Sequence, residues 1–227
     1  SVRGRTQQSE DRMAGACRAP GCGQPATRYG HFCTTHKSRW RRHGDVGQVG
    51  ITKEVLRPYV DLVRARIEKN AGNPTWTTCD DRWQAVVAHA KGILAAANRG
   101  VPGSRNERTA ANAIVRLAAD VEPRVVVETV LAMYMLMDLE PRRFRSDGAF
   151  RRQLARRVMR LSEVNVAEWY DHQTGRTKRT YRDFTPGAAD IIAGWLVETL
   201  GAVGLHLAKL HLADIEKTRQ EKADFHK

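Results

Sequence analysis

Long apolar runs are what this chain of 227 residues most clearly lacks. Its most apolar stretch, residues 188–208, is broken by Asp190 and Glu198, so no membrane-spanning helix of about 20 apolar residues is expected. Residues 1–16 are polar and charged, with no apolar leader segment, and a reducing cytoplasmic setting is the expectation. Cysteine is restricted to four residues, of which Cys79 stands far from the other three, and this argues against a disulfide framework. No Gly-rich phosphate loop, Ser/His/Asp arrangement or tyrosine-recombinase set is recognisable. Acidic charge is the last scarcity: 25 Asp and Glu stand against 38 Lys and Arg, a formal net charge of +13.

The location of that excess is more informative than its size. Residues 1–50 hold nine Lys/Arg against three acids, and residues 141–185 hold twelve against five. The segments 51–140 and 186–227 are close to neutral, with twelve against eleven and five against six. Two separate basic blocks suggest two contact surfaces for a polyanion, because a charge serving solubility alone would be spread along the chain. In the second block Lys178 is the only lysine. Arginine makes the forked contacts that suit phosphate and guanine.

The first block follows a run with metal-ligand spacing. Cys17, Cys22, Cys33 and His36 are arranged Cys-x4-Cys-x10-Cys-x2-His, among Pro20, Gly21, Gly23, Pro25 and Gly30. Zinc takes four thiolate or imidazole ligands in a tetrahedron, and two short turns can present them. His31 and His43 are alternatives for the fourth ligand; His36 is favoured because a Cys-x2-His pair chelates from one helical turn. A structural zinc ion would then fix the position of Lys37, Arg39, Arg41 and Arg42, which follow directly.

The whole run, Cys17, Gly21-Cys22, Pro25-Ala26, Gly30, Cys33-x2-His36 and Arg39-Trp40-Arg41-Arg42-His43-Gly44-Asp45, resembles the small Cys3His zinc-binding modules of phage and bacterial mobile-element DNA-binding proteins. In those families the module serves as a DNA-binding attachment or accompanies an HNH nuclease domain. The resemblance covers residues 17–45 and implies a DNA-associated, nucleoid-located bacterial protein. An HNH site would need a histidine on a hairpin and an Asn and His early in the next helix. Asp171-His172 has the first feature, but the first histidine of the following segment is His206, and no second acidic cluster is available for magnesium.

The expected organisation is a polar tail at 1–14, a zinc module at 15–47 joined by Gly44, Gly47 and Gly50, and a helical domain at 51–227. The fold class is mainly α, with one β-hairpin and a long C-terminal helix. Helical periodicity predicts a helix around Val55–Ile67 containing Pro58, and others at about 79–98, 106–119 and 123–139, the last opened by Pro123 and apolar on most sides. A further helix at 148–162 has Phe150, Leu154, Val158 and Leu161 as its inward stripe. Arg152, Arg156 and Arg160 then fall on the opposite face at i, i+4, where like charges cost roughly 0.2–0.5 kcal/mol per pair. β-branched and aromatic residues flanking a Gly-containing turn predict a hairpin at 164–184 that carries Arg176, Lys178, Arg179 and Arg182. Helices followed by a basic helix and a basic hairpin are the order of a winged helix-turn-helix, although the nine residues from Glu140 to Gly148 are long for the turn between its second and third helices. The segment 186–220 has an apolar stripe at every fourth residue; its Gly194, Gly201 and Gly204 either bend the helix or admit a neighbour closely, and its length suits a homodimer or larger assembly.

These readings converge on a non-catalytic protein that binds nucleic acid, DNA in preference to RNA, with no membrane partner. The alternatives are a basic structural subunit of a protein–nucleic-acid assembly and an HNH-like metal-dependent nuclease.

Overall fold

The computed structural model describes residues 15–162, 166–181 and 184–225, with side chains described except at 166–168, 178–181 and 225. The expected tail at 1–14 and Arg182 lie outside the described residues. The elements run α1 (Thr34–His43), α2 (Lys53–Lys69), α3 (Thr75–Asn98), α4 (Arg105–Asp120), α5 (Pro123–Leu139), a 3-10 turn (Pro141–Arg143), α6 (Asp147–Met159), β1 (Val166–Asp171), β2 (Arg176–Tyr181) and α7 (Pro186–Phe225). The fold is mainly helical, as expected, and its sheet is the antiparallel pair β1–β2.

α5 is the axis of the core. Residues 126–136 are all buried, including Glu128 and Thr129, and the helix packs against α2, α3, α6 and α7. Such a helix must satisfy its own polar groups. Thr129 Oγ1 donates to the carbonyl of Val125 at 2.8 Å, and the Glu128 carboxylate accepts from Arg64 Nε of α2 at 2.7 Å. α4 begins with a capping box, in which Ser104 accepts from the Asn106 N–H and Glu107 reaches back to the Ser104 N–H. α2 carries Pro58 in its interior, at the loss of one backbone hydrogen bond, and is held by Leu56 and Val63 in the core.

α7 crosses the molecule against α3, α4, α5 and α6. At 1.5 Å per residue its 40 residues span about 60 Å. Residues 212–224 are exposed, so its C-terminal part extends past the body, tied beside α2 by the Arg66–Asp214 ion pair. Two of its interior glycines, Gly201 and Gly204, admit a close approach. A Cβ on Gly204 would lie 2.5 Å from Cδ2 of Tyr134 on α5, and one on Gly201 would lie 2.7 Å from the Tyr134 hydroxyl. Gly194 has nothing within 4 Å of such a Cβ. The expectation of no membrane-length run needs correcting: within Pro186–Asp224, one 18-residue window is long and apolar enough to cross a membrane by length and composition. The hydropathy of Ile191, Ile192, Leu196 and Leu200 outweighs Glu198 among them, and 44% of the window is buried inside the protein.

Replacing Gly204 by Ala should destabilise the fold by about 1–3 kcal/mol, since Tyr134 is itself held in the core. Gly194→Ala should be neutral or stabilise by up to about 1 kcal/mol through lower unfolded-state entropy. Chemical denaturation of both variants measures the difference, and equal effects would show that the close approach is not maintained in solution.

Candidate metal centre and cationic surface

Two turns and the start of α1 build the metal centre. Cys17 N–H donates to the Gln24 carbonyl at 3.0 Å and Cys22 N–H to the Ala19 carbonyl at 3.1 Å, closing a loop whose turn needs Gly21 at φ 72°. A second turn, closed by Gly30 N–H on the Thr27 carbonyl at 2.9 Å, brings Cys33 back beside Cys17. Cys33 is the N-cap of α1 and makes no side-chain cap bond, so its sulfur is left for the cluster, and His36 follows one turn later.

The ligand atoms of Cys17, Cys22, Cys33 and His36 all lie within 4.8 Å of one another. His36 Nδ1 is 3.5 Å from Cys17 Sγ and 3.3 Å from Cys33 Sγ, and Cys22 Sγ is 4.0 Å from Cys33 Sγ. A regular tetrahedron with Zn–S bonds of about 2.3 Å has sulfurs roughly 3.8 Å apart, so the four residues fit a zinc-sized ion. His31 is exposed and does not belong to this cluster; His43 is at the far end of α1, with its Nδ1 3.0 Å from Gln153 Nε2. All four cysteines are free thiols. Burial opposes ionisation of Cys17, but the backbone N–H groups of Cys33 and Ala19, with His36 and Cys22, bring its thiol down to about 6. Such a thiol is poised to act as a thiolate ligand. Among the described residues this is the one His/Cys/Asp/Glu group with metal-binding geometry.

α1 itself carries Lys37, Arg39, Arg41 and Arg42, all exposed, with no acid in its ten residues. Its C-terminal end is fastened to the helical body. Gly44 caps it in the left-handed conformation at φ 83°, and a Cβ there would lie 2.6 Å from the Gly148 carbonyl oxygen at the start of α6. Asp45 Oδ1 accepts from the Gly47 N–H at 2.7 Å. The Gly44-Asp45 pair thus forms the turn that seats α1 on α6. The stretch expected to be a glycine linker is docked: Gln48 is buried, donates to the Arg143 carbonyl and accepts from the Arg145 N–H, while the Ile51 N–H donates to Gln153 Oε1 at 2.9 Å.

The expected outward arginine face of α6 is corrected for Arg152. This residue is 7% exposed; its Nη1 donates to the Arg41 carbonyl at 2.9 Å, and its Nη2 pairs with the Asp190 carboxylate of α7 at 2.7 and 3.0 Å. Arg156 Nη1 donates to the Arg42 carbonyl at 3.3 Å. Both guanidiniums therefore sit at the carbonyl end of α1, where a helix presents partial negative charge. The like-charge repulsion anticipated along α6 is offset by that end and by Asp190. Arg160, the C-cap of α6, is half-buried. Arg176 is exposed at the start of β2, opposite Asp171. Lys178 and Arg179 lie on β2 opposite Trp169 and Glu168, and their side chains lie outside the described residues. His172 is exposed in the hairpin turn, edge-on to Tyr170 at 5.0 Å, while Asp171 caps the turn by accepting from the Gln173 N–H and the Thr174 hydroxyl, each at 2.9 Å.

Several surface residues go beyond those that motif and helical phase single out. Arg142, Arg143, Arg145 and Arg151 are exposed at or beside the start of α6; the charge count of the second block contains them. Thr34, Lys37, Ser38 and Arg41, at i, i+3, i+4 and i+7 of α1, line a cleft of about 320 Å³ with Arg42, Phe184 and Pro186. Thr34 and Ser38 leave no signal in a charge count. The chain matches no protein-family model, and no curated protein or solved structure is significantly similar to it.

Cys33→Ser should release the metal and unravel α1, yet leave the cooperative melting of α2–α7 in calorimetry; loss of that transition would make the metal centre part of the folding core. Arg152→Ala should cost about 1–3 kcal/mol, with the Arg41 carbonyl losing its donor and Asp190, half exposed, its partner. Hydrogen exchange of α1 amides should rise more than that of α5 amides, and a uniform rise would show that Arg152 stabilises the body rather than the joint.

Proposed function

We propose that the protein is a non-catalytic nucleic-acid-binding protein of the phage or mobile-element kind, with duplex DNA as its partner and a structural zinc ion in the Cys3His centre. The observation that carries this reading is α1: a ten-residue helix with four exposed cations and no acid, fixed at one end by a metal-ligand cluster and at the other by Arg152 and Arg156. Cations held in fixed geometry bind phosphates with less ordering cost than cations on a flexible arm. The exposed indole of Trp40 on the same helix adds an apolar surface for sugar or base contact.

Arg39, Arg41 and Arg42, with Arg145 and Arg151 nearby, form the phosphate-facing surface in this reading. Arg152 positions α1 from behind, and Arg156 and Arg160 stand at the margin. The hairpin, with Arg176, Lys178, Arg179 and Arg182, acts as a wing lying along the backbone, which is the winged helix-turn-helix element of the proposal. A second reading, a basic subunit of a larger assembly, is favoured by one observation: Leu212 and Ile215 are exposed on the extending part of α7. Self-association through 186–220 belongs to that reading.

Anisotropy of a labelled duplex titrated at several salt concentrations tests the proposal. Affinity should fall with salt, and exchanging Lys37, Arg39, Arg41 and Arg42 for Gln should flatten the log–log slope by about 0.9 for each phosphate no longer neutralised. An unchanged slope would remove α1 from the interface. Cleavage of the duplex on adding magnesium would replace the non-catalytic reading with the nuclease alternative.

A further inference from the structure

The cleft between α1 and the start of α7 has a composition that a merely solvated cationic helix does not need. One wall is the face of α1 made by Thr34, Lys37, Ser38 and Arg41, joined by Arg42; the other is Phe184 and Pro186. Its volume of about 320 Å³ is at the lower end of small-ligand pockets and suits one nucleotide unit. Among the described residues, three cations and two hydroxyls line it, and no carboxylate does.

The wall opposite α1 adds polarity of the same sign. Pro186 is the first residue of α7, and Thr185 precedes it as the cap: its Oγ1 accepts from the Ala188 N–H at 3.3 Å and its carbonyl from the Ala189 N–H at 3.0 Å. The cleft therefore lies at the positive end of a 40-residue helix. The nearest acid on that helix, Asp190, has its carboxylate turned to Arg152. Because Arg152 also holds the Arg41 carbonyl, the same guanidinium sets the spacing of the two walls and neutralises the carboxylate next to them.

We infer that this cleft is a phosphate-ester site that receives one nucleotide of the bound strand, its phosphate between Lys37, Arg41 and Arg42 and its sugar or base against Phe184. The inference rests on the nucleic-acid reading for its ligand class, and on the cleft alone for its place. Thr34 and Ser38 donate hydroxyl hydrogens to phosphate oxygens, and the guanidiniums supply charge-assisted bonds to the same group.

The test uses the full, metal-loaded chain with two probes, deoxyadenosine monophosphate by calorimetry and a labelled DNA duplex by anisotropy. Deoxyadenosine without phosphate is the control ligand, Lys91→Gln on α3 the charge control, and metal content the check that each variant keeps its module. The monophosphate should bind and the nucleoside should not. Lys37→Gln/Arg41→Gln should weaken the monophosphate about tenfold or more. Ser38→Phe, which fills the cleft without changing charge, should do the same and weaken the duplex about tenfold, whereas Ser38→Thr and Lys91→Gln should change neither strongly. Failure of the wild-type chain to bind the monophosphate, or retention of wild-type affinity by Ser38→Phe with its metal intact, overturns the cleft. If the duplex binds normally in those cases, the nucleic-acid reading survives without it. Monophosphate binding that the cleft variants abolish, in a chain that binds no duplex, supports the cleft and removes the duplex reading.

Discussion

The guanidinium of Arg152 occupies the point where three helices meet, and the arrangement of the surface depends on it. It projects from α6, takes the carboxylate of Asp190 on α7 as its counter-charge and caps the carbonyl end of α1. A charge so far from water requires a partner and hydrogen bonds, and groups 38 and 111 residues away in sequence supply them to Nη2 and Nη1, leaving only the buried Nε without one. A helix of ten residues has little stability alone, because nucleation is costly and few bonds follow it. α1 exists because the metal ligands fix its first turn and α6 fixes its last.

This joint changes how the positive charge of the chain is used. In the sequence the two basic blocks are two surfaces more than a hundred residues apart. In the fold the second block supplies Arg152 and Arg156 as the seat on which the first block rests, so part of the second block is consumed in positioning the first. Arg145 of the second block also comes close to the first, its Nε 3.9 Å from where a Cβ on Gly47 would lie. The two blocks therefore meet in the fold, with a structural arginine between them.

The elements legible in the sequence are those whose causes are local. The Cys3His cluster can be read because metal ligation demands particular side chains at short spacings, and α5 because an all-round apolar helix has one place to go. Pro123 marks its start to the residue. The solvent-facing assignment of Arg152 fails because helical phase shows which residues share a face but not what that face meets; neither Asp190 nor a bare carbonyl of α1 leaves a trace near residue 152. The docking of residues 44–51 is hidden for a related reason, since glycines that permit a tight turn and glycines that permit freedom look alike in sequence. α7 shows the opposite failure: the position of the interrupting acids suggests a broken run, while the surrounding leucines and isoleucines carry the average. Gly201 and Gly204 are compatible with two roles in the sequence, and only the ring of Tyr134 chooses close approach over bending.

The grip of Arg152 and Arg156 on α1 falls on main-chain oxygens, and the candidate metal-ligand cluster takes only Cys33 and His36 from its start. Two side chains of α1 add to those ligands and the turn at Gly44: His43 Nδ1 lies 3.0 Å from Gln153 Nε2 of α6, and Arg39 Nη1 donates to the Val46 carbonyl at 3.4 Å. Much of the mounting therefore falls on main-chain oxygens rather than on the cations that the helix displays. In the proposed role, substitutions at Lys37, Ser38 or Arg41 alter what is recognised while leaving these attachments in place, which makes α1 an exchangeable cartridge: a lineage could change target by rewriting a few exposed positions, without having to rebuild the body that carries them.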